Sequence, residues 1–323
     1  MKPSEESLKS LEAAAIEMAR GAGELLASRF GTGIEVEFKD RNKKADPVTE
    51  ADRASQGYLR VAIERGFPGH GILGEEGLQV QGKEAEFLWV VDPLDGTTNF
   101  LRGLSIYGVS VGVLYAGRPV AGAIAIPGPG GRPTQVFHAR ARGGAFLDGR
   151  PIHVAEAKRP APTQLVCLPG RYNSMLRFVG DLRRHPGEVR GTGSMAFELA
   201  HTALGTFLYA LFFTPQVWDV AAGVLLVKEA GGEALMRRKA GMAWRPLERF
   251  GPDDLTVPRS LEELRKWRAS LIVGNRDVVR FVAAHIRRPF RLLSRRPRPT
   301  HPSKQNSLPP AAPPRPGAKG SAG

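Results

Sequence analysis

The chain has 323 residues, long enough for a substantial buried core and two packed subdomains. Its 42% hydrophobic content is that of a globular protein, and no run of eighteen apolar residues is present to cross a membrane. The first twenty residues hold Lys2, Glu5, Glu6, Lys9, Glu12 and Glu17 where a signal peptide needs an apolar core. The formal charge of +14 is unevenly placed: nine of the 46 basic residues fall from Arg287 onward with no acid among them, leaving 37 bases against 32 acids in the body. The single cysteine, Cys167, excludes an intrachain disulfide. Lying between Val166 and Leu168, it reads as a buried strand position in a protein of the reducing cytoplasm.

Leu8, Leu11, Ala15, Met18, Ala22 and Leu25 recur at three-and-four spacing, which predicts an amphipathic helix over 4–30, capped by Ser4 and stopped by Gly31 and Gly33. A half-buried strand is expected over Ile34–Phe38, and a second helix from about Thr49 to Glu64. The apolar run Phe87–Val91 predicts a strand ended by Pro93. Further strands around 105–115, 119–126, 134–138 and 145–147, separated by Gly- and Pro-rich turns, point to an antiparallel sheet.

After Pro160 the pattern changes. Strands at Leu165–Leu168 and Ala269–Val273 alternate with helices at Leu176–Arg184, Met195–Leu204, Val220–Glu229 and Asp277–His285, the signature of an α/β half with a largely parallel sheet. This divides the chain into an N-terminal α+β subdomain (1–156) carrying most of the acids of interest, a C-terminal α/β subdomain (157–286) and a tail (287–323). The tail is rich in Pro, Arg and Ser without apolar periodicity, and the expectation is disorder.

Hydrolysis of a phosphate ester requires an activated water and neutralisation of developing charge. Carboxylates beyond a strand end can hold magnesium for both tasks. Asp92-Pro-Leu-Asp95-Gly-Thr-Thr-Asn-Phe100, directly after the apolar strand, fits that need. Pro93 rigidifies the turn between the two acids, the Leu94 carbonyl, freed from ladder pairing, is a candidate further oxygen ligand, and Gly96 permits close approach of a ligand. The amides of Gly96, Thr97 and Thr98 are placed to cradle phosphate. A bare Asp-Pro-x-Asp-Gly is more often only a turn; the strand before it and Thr-Thr-Asn after it favour the site.

Trp89-Val-Val-Asp-Pro-Leu-Asp-Gly-Thr-Thr-Asn-Phe100 resembles the signature of the inositol monophosphatase family. Other blocks follow the family order: Asp46-Pro-Val-Thr-Glu-Ala-Asp52, Ile72-Leu-Gly-Glu-Glu76, Gly143-Gly-Ala-Phe-Leu-Asp-Gly-Arg150, and Trp218-Asp-Val-Ala-Ala-Gly223 with Glu229-Ala-Gly-Gly232. The resemblance spans about residues 8–285. It implies a layered α-β-α-β-α sandwich of the sugar-phosphatase type, with an antiparallel N-terminal sheet and a mixed, largely parallel C-terminal one. It also implies two to three Mg2+ ions. Glu75, Asp92 and the Leu94 carbonyl would bind the first, Asp92, Asp95 and Asp219 the second, and a weaker third would lie near Glu75. Thr97 would orient the attacking water, its hydroxyl held by Asp52, with no covalent intermediate. Each acid has a plainer alternative: Glu75 and Glu76 as a solvated pair, Asp52 as a helix-surface charge, Asp219 as a helix N-cap.

Substrate positions depart from the family. Gly193 and Ser194 align with its substrate loop, although Ser194 also reads as an N-cap, and Met195 replaces a usual alanine. Six or seven residues before Asp219, where inositol-hydrolysing members carry a glutamate, stand Phe213 and Phe212, which also read as core packing. Inositol phosphate, 3′-phosphoadenosine 5′-phosphate, histidinol phosphate and fructose bisphosphate all stay open as substrates. A competing, non-enzymatic reading makes the chain an RNA- or anionic-membrane-binding protein acting through its basic tail; the single tail aromatic, Phe290, gives little base stacking. A homodimer is what the resemblance suggests.

Overall fold

The computed structural model describes residues 3–31, 36–40, 43–75, 77–80, 87–131, 134–239, 241–251 and 260–287, with only backbone for the segments between 36 and 49. Of the expected disordered tail (287–323), Arg287 is instead paired in a strand with Arg177, and the rest, like Glu76, lies outside the described residues. Helix α1 (Glu5–Arg29) starts where Ser4 Oγ accepts the Ser7 amide, and buries Leu8, Leu11, Ala15, Met18, Ala22 and Leu26. The hairpin β1 (Val36–Asp40) and β2 (Lys43–Thr49) leads into α2 (Glu50–Gly66).

An eight-stranded sheet follows. It is built from β3 (Gly71–Gly74), β4 (Gln79–Val80), β5 (Phe87–Asp95), β6 (Gly108–Tyr115), β7 (Arg118–Ile126), β8 (Gln135–Arg140), β9 (Gly144–Leu147) and β10 (Arg150–Pro151), in the order β10-β9-β8-β7-β6-β5-β3-β4. Every pairing is antiparallel except β3 with β5. Both faces are covered, which explains the unbroken apolar run of β5: Trp89 and Val91 face α1 and α2, while Leu88 and Val90 face the opposite core. Pro93 does not end this strand as expected. Lacking an N–H, it skips a rung, and pairing resumes at Asp95↔Gly108 beyond a bulge. The short helix α3 (Thr97–Leu101) follows immediately.

The second half adds β11 (Leu165–Cys167), α4 (Tyr172–Met175), β12 (Arg177–Phe178), α5 (Gly180–Arg184), β13 (Glu188–Arg190), α6 (Met195–Ala203), β14 (Tyr209–Phe212), α7 (Val217–Glu229), β15 (Glu233–Arg237), β16 (Arg245–Pro246), α8 (Leu261–Arg265), β17 (Ser270–Gly274), α9 (Arg276–Ala284) and β18 (Ile286–Arg287). One helix was expected over 176–184. Instead, Gly180 at φ 56° and extended Val179 split the stretch, and Arg177–Phe178 pairs with Ile286–Arg287.

The second sheet, ordered β13-β11-β14-β17-β15-β16, is mixed but not largely parallel: only the two pairings of β11 are parallel. The β14–α7–β15 crossover is parallel in sense, as alternating strands and helices imply. However, β17 inserts between β14 and β15 and runs against both.

Helices α6 and α7 lie between the two sheets, α1 and α2 cover the outer face of the first, and α9 packs on β15 and β17 of the second. This is the five-layer α-β-α-β-α order. Residues from both sides of position 156 share the central core, from Val90 and Phe137 to Ala222 and Val273, and the chain to Pro289 clusters as one compact unit. Helix α7 is buried at eleven of its thirteen residues. It lies so close to the sheet that a Cβ on Gly112 would stand 3.1 Å from the Ala222 amide nitrogen, and one on Gly122 would stand 3.1 Å from Ala222 Cβ.

Candidate active site

The β5 bulge sets the centre of the site. Asp92, 2% exposed, accepts the Leu94 amide on Oδ1 at 3.1 Å. The residue after Asp95, Gly96, adopts φ 87°, and a Cβ there would meet the Ile106 carbonyl at 2.9 Å and Ser194 Cβ at 3.1 Å; only glycine fits. Helix α2 is pinned to this turn by Ser55 Oγ, which donates to the Pro93 carbonyl at 2.8 Å, and buried Asp52 lies one turn earlier on the same helix. The Thr97 hydroxyl donates to the Leu94 carbonyl at 3.0 Å.

The second half brings two elements to the bulge. Asp95 Oδ2 accepts from Ser194 Oγ at 2.5 Å and from the Ala196 amide at 2.6 Å, tying α6 to the turn. Ser194 also caps α6 by accepting the Phe197 amide at 3.2 Å, so the capping and site readings of this residue both hold. Asp219 arrives on α7, whose carrier segment is fixed where Ser110 Oγ donates to the Trp218 carbonyl at 3.2 Å. It is not the N-cap: the helix starts at Val217, and Asp219 sits at its third position, accepting the Gln216 amide on Oδ2 at 2.7 Å. Glu75 stands at the end of β3, in a turn closed by Gly77 N–H to the Glu75 carbonyl at 2.7 Å.

These acids share one electrostatic neighbourhood. Burial, then the charges of Glu75, Asp95 and Asp219, push the Asp92 carboxyl well above the usual range. Burial raises Asp219 to about 8, with Asp95 the next cause. Burial also raises Asp95 to about 6, against the lowering effect of its Ser194 and Ala196 hydrogen bonds. Buried like charges of this kind call for a cation. The donor chemistry fits a hard one: each aspartate spends one oxygen on the described protein hydrogen bonds, which leave Asp92 Oδ2, Asp95 Oδ1 and Asp219 Oδ1 open to a ligand. The acids are neighbours without being a closed cage. Among the described residues, no three His, Cys, Asp or Glu side chains converge tightly enough to clasp an ion as they stand.

Beside Asp95 opens a cavity of about 370 Å³, walled by Leu168, Pro169, Gly193, Ser194, Met195, Glu198, Leu211, Phe212 and Phe213. Phe212 is 4% exposed and belongs to the central core as well as to this wall. Two residues that organise the loop beneath the cavity escape sequence reasoning. Glu198 Oε1 accepts from the Thr192 amide and hydroxyl, each at 2.9 Å, and burial raises its carboxyl to about 7. Asn99 Nδ2 donates to the Ile106 and Thr192 carbonyls at 2.8 and 2.7 Å, stapling the motif loop to the 192 loop. An acid inside the apolar helix Met-Ala-Phe-Glu-Leu-Ala was a visible signal for Glu198; nothing local identified its partner.

Cys167 is buried, and burial pushes its thiol far up, so it is no nucleophile. None of the described helices is long and apolar enough to cross a membrane.

Open-ended carboxylates gathered over a strand bulge, beside a ligand-sized cavity in a five-layer sandwich, are the arrangement that a metal-dependent phosphate-ester hydrolase requires. The inositol monophosphatase family profile matches residues 7–268. The chloroplastic phosphatase IMPL1 of Arabidopsis thaliana is 36% identical over 225 residues, 65% of this chain; the chain spans 60% of that relative's length. The Nus factor SuhB of Pseudomonas aeruginosa is 35% identical over 68% of this chain and 82% of its own. The crystal structure of the extragenic suppressor protein suhB from Bartonella henselae superposes with a TM-score of 0.66 at 27% identity, covering 84% of this chain and 96% of the other. This chain belongs to the inositol monophosphatase family, a generally metal-dependent family of phosphoric monoester hydrolases.

Proposed function

We propose that the protein is a Mg2+-dependent phosphomonoesterase of the cytoplasm, acting on a small phosphorylated metabolite. The observation that carries this reading is the group of buried, mutually destabilised acids Asp92, Asp95 and Asp219, beside the charge of Glu75, with Asp95 lining a largely apolar cavity. Divalent cations held there would supply Lewis acidity and charge compensation for ester hydrolysis. Glu75, Asp92, Asp95, Asp219 and the Leu94 carbonyl are the residues that would hold two to three of them.

The chain's own groups do the rest. Gly96, Thr97 and Thr98 present the start of α3 to the phosphate, and Thr97 orients the attacking water, with Asp52 buried behind it. Gly193, Ser194 and Phe212 bound the space for the alcohol half of the ester. That space has Phe212 where an acid would meet a ring hydroxyl, flanked by Met195, Leu211 and Phe213, and the acids that line it are Asp95 and Glu198.

Asp92→Asn and Asp219→Asn should each lower phosphatase activity by roughly a hundredfold or more with the fold intact by circular dichroism. Near-normal turnover in either would sink the assignment. Comparing inositol 1-phosphate, histidinol phosphate, fructose bisphosphate and 3′-phosphoadenosine 5′-phosphate would rank the substrates. Equal, poor rates on all four would place the true substrate elsewhere.

A second reading rests on the similarity to a protein named Nus factor SuhB and on the basic tail. It makes binding to nucleic acid or to another protein an additional role, with a homodimer as the expected state. Deleting 288–323 should then abolish a salt-sensitive RNA interaction and leave catalysis unchanged.

A further inference from the structure

We propose that Arg265 is a positioning residue that locks the Glu75 turn against the segment delivering Asp219, and thereby sets how tightly the acid ring takes a divalent cation. The inference rests on the metal-dependent reading of that ring. Two of its carboxylates come from opposite halves of the chain, Glu75 at the end of β3 and Asp219 on α7, and neither element pairs with the other in a sheet. Something must fix their separation, because coordination geometry tolerates little error.

Arg265 is built to do this. It ends α8, a short helix held at its start by reciprocal bonds, Ser260 N–H to Glu263 Oε2 and Glu263 N–H to Ser260 Oγ, both at 3.0 Å. Leu261 and Leu264 bury the helix in the central core. Behind it, Arg268 donates to the Arg265 carbonyl at 2.9 Å. From this anchored base the Arg265 guanidinium reaches across to donate to the Gly74 and Glu75 carbonyls, each at 3.4 Å. Its carbon lies 5.5 Å from the centre of the Trp218 ring, the residue immediately before Asp219. One planar group thus touches the backbone of one ligand residue and the side chain adjoining another. A guanidinium can bridge two carbonyls while stacking on an indole; an ammonium cannot do both.

Charge alone predicts a different outcome. Removing a cation beside the Glu75 turn should make the acids bind Mg2+ more tightly, whereas removing a clamp should make them bind less tightly. Arg265→Lys separates the two, since it keeps the charge and loses the fork.

The test is calorimetric titration of MgCl2 into the full chain without substrate, repeated for Arg265→Lys and Arg265→Ala. Melting temperature and the magnesium dependence of turnover are measured alongside. The expected result is a dissociation constant raised about tenfold in both variants, with turnover at saturating magnesium within a few-fold of the parent. If Arg265→Ala fails to fold, Arg265→Lys decides alone. A lowered melting temperature with an unchanged dissociation constant in Arg265→Lys would reduce Arg265 to a packing role and overturn the proposal. So would tighter binding in Arg265→Ala with normal binding in Arg265→Lys. If the parent chain binds no Mg2+, the proposed function itself falls, an outcome distinct from a variant that matches a binding parent.

Discussion

Replacing Glu198 by Gln should stabilise the protein above pH 7 and leave it unchanged near pH 4. The carboxyl sits in the wall beneath the candidate substrate loop, 7% exposed, and burial raises it from an ordinary 4.5 to about 7. Between those values the folded chain keeps a proton that the unfolded chain has lost, so stability falls as pH rises through this window and is flat above it. The full rise corresponds to roughly 3 kcal/mol at pH 8, and residual structure in the unfolded chain brings the expected gain to about 1–3 kcal/mol. Glutamine preserves the Oε1 acceptor that receives the Thr192 amide and hydroxyl, so the loop keeps its tether and only the charge is lost. Urea unfolding of both proteins in chelator, at pH 4.5 and pH 8.5, reads the difference directly; titration of Asp92, Asp95 and Asp219 occurs in both and largely cancels. An equal stability difference at the two pH values would refute the argument, because it would mean that the ionised carboxylate is not what burial penalises.

Gly112→Ala should push α7 away from the sheet at Ala222, costing about 1–3 kcal/mol in chemical denaturation and lowering activity more than stability alone explains, since Asp219 rides on that helix. Glu12→Ala should cost about 1–3 kcal/mol in the same assay, because Glu12, 6% exposed, accepts His138 and Arg140 at 2.8 Å each and its loss leaves the part-buried Arg140 guanidinium with the longer, exposed contact to Glu5 at 3.4 Å. It should leave turnover at 25 °C unchanged, as the cluster lies between α1 and β8, outside the acid ring.

Local pattern made some of this readable and hid the rest. The strand before Asp92 is visible because five consecutive apolar residues cover two buried faces, and the turn is visible because Asp-Pro-x-Asp-Gly has few other uses. The α1 stripe and the five layers follow from periodicity and family order. What failed was whatever depends on partners distant in sequence. Pro93 was read as a stop because a missing N–H ends most strands, yet β6 takes up the ladder again at Asp95. The plainer N-cap alternative for Asp219 is also removed, though by a near neighbour: the helix starts at Val217 and Asp219 accepts the Gln216 amide. Alternation of helices with strands implies a largely parallel second sheet, and nothing in Ser270–Gly274 announces that it will insert backwards between β14 and β15. Arg265 looked like any charge in Leu-Glu-Glu-Leu-Arg.

Helix α7 touches both sheets, and it carries Asp219 at its start. A cation shared by Asp219 and the β5 acids would therefore bridge two layers of the sandwich, and any opening between them would have to release it. The stabilisation at a cation concentration one hundred times the dissociation constant, about 2.7 kcal/mol, would fall on that seam. Hydrogen exchange should show this as slowing concentrated in α7 and β5, with α1 and α9 little changed. The occupied site would be a rivet between layers that the apolar core alone leaves free to breathe.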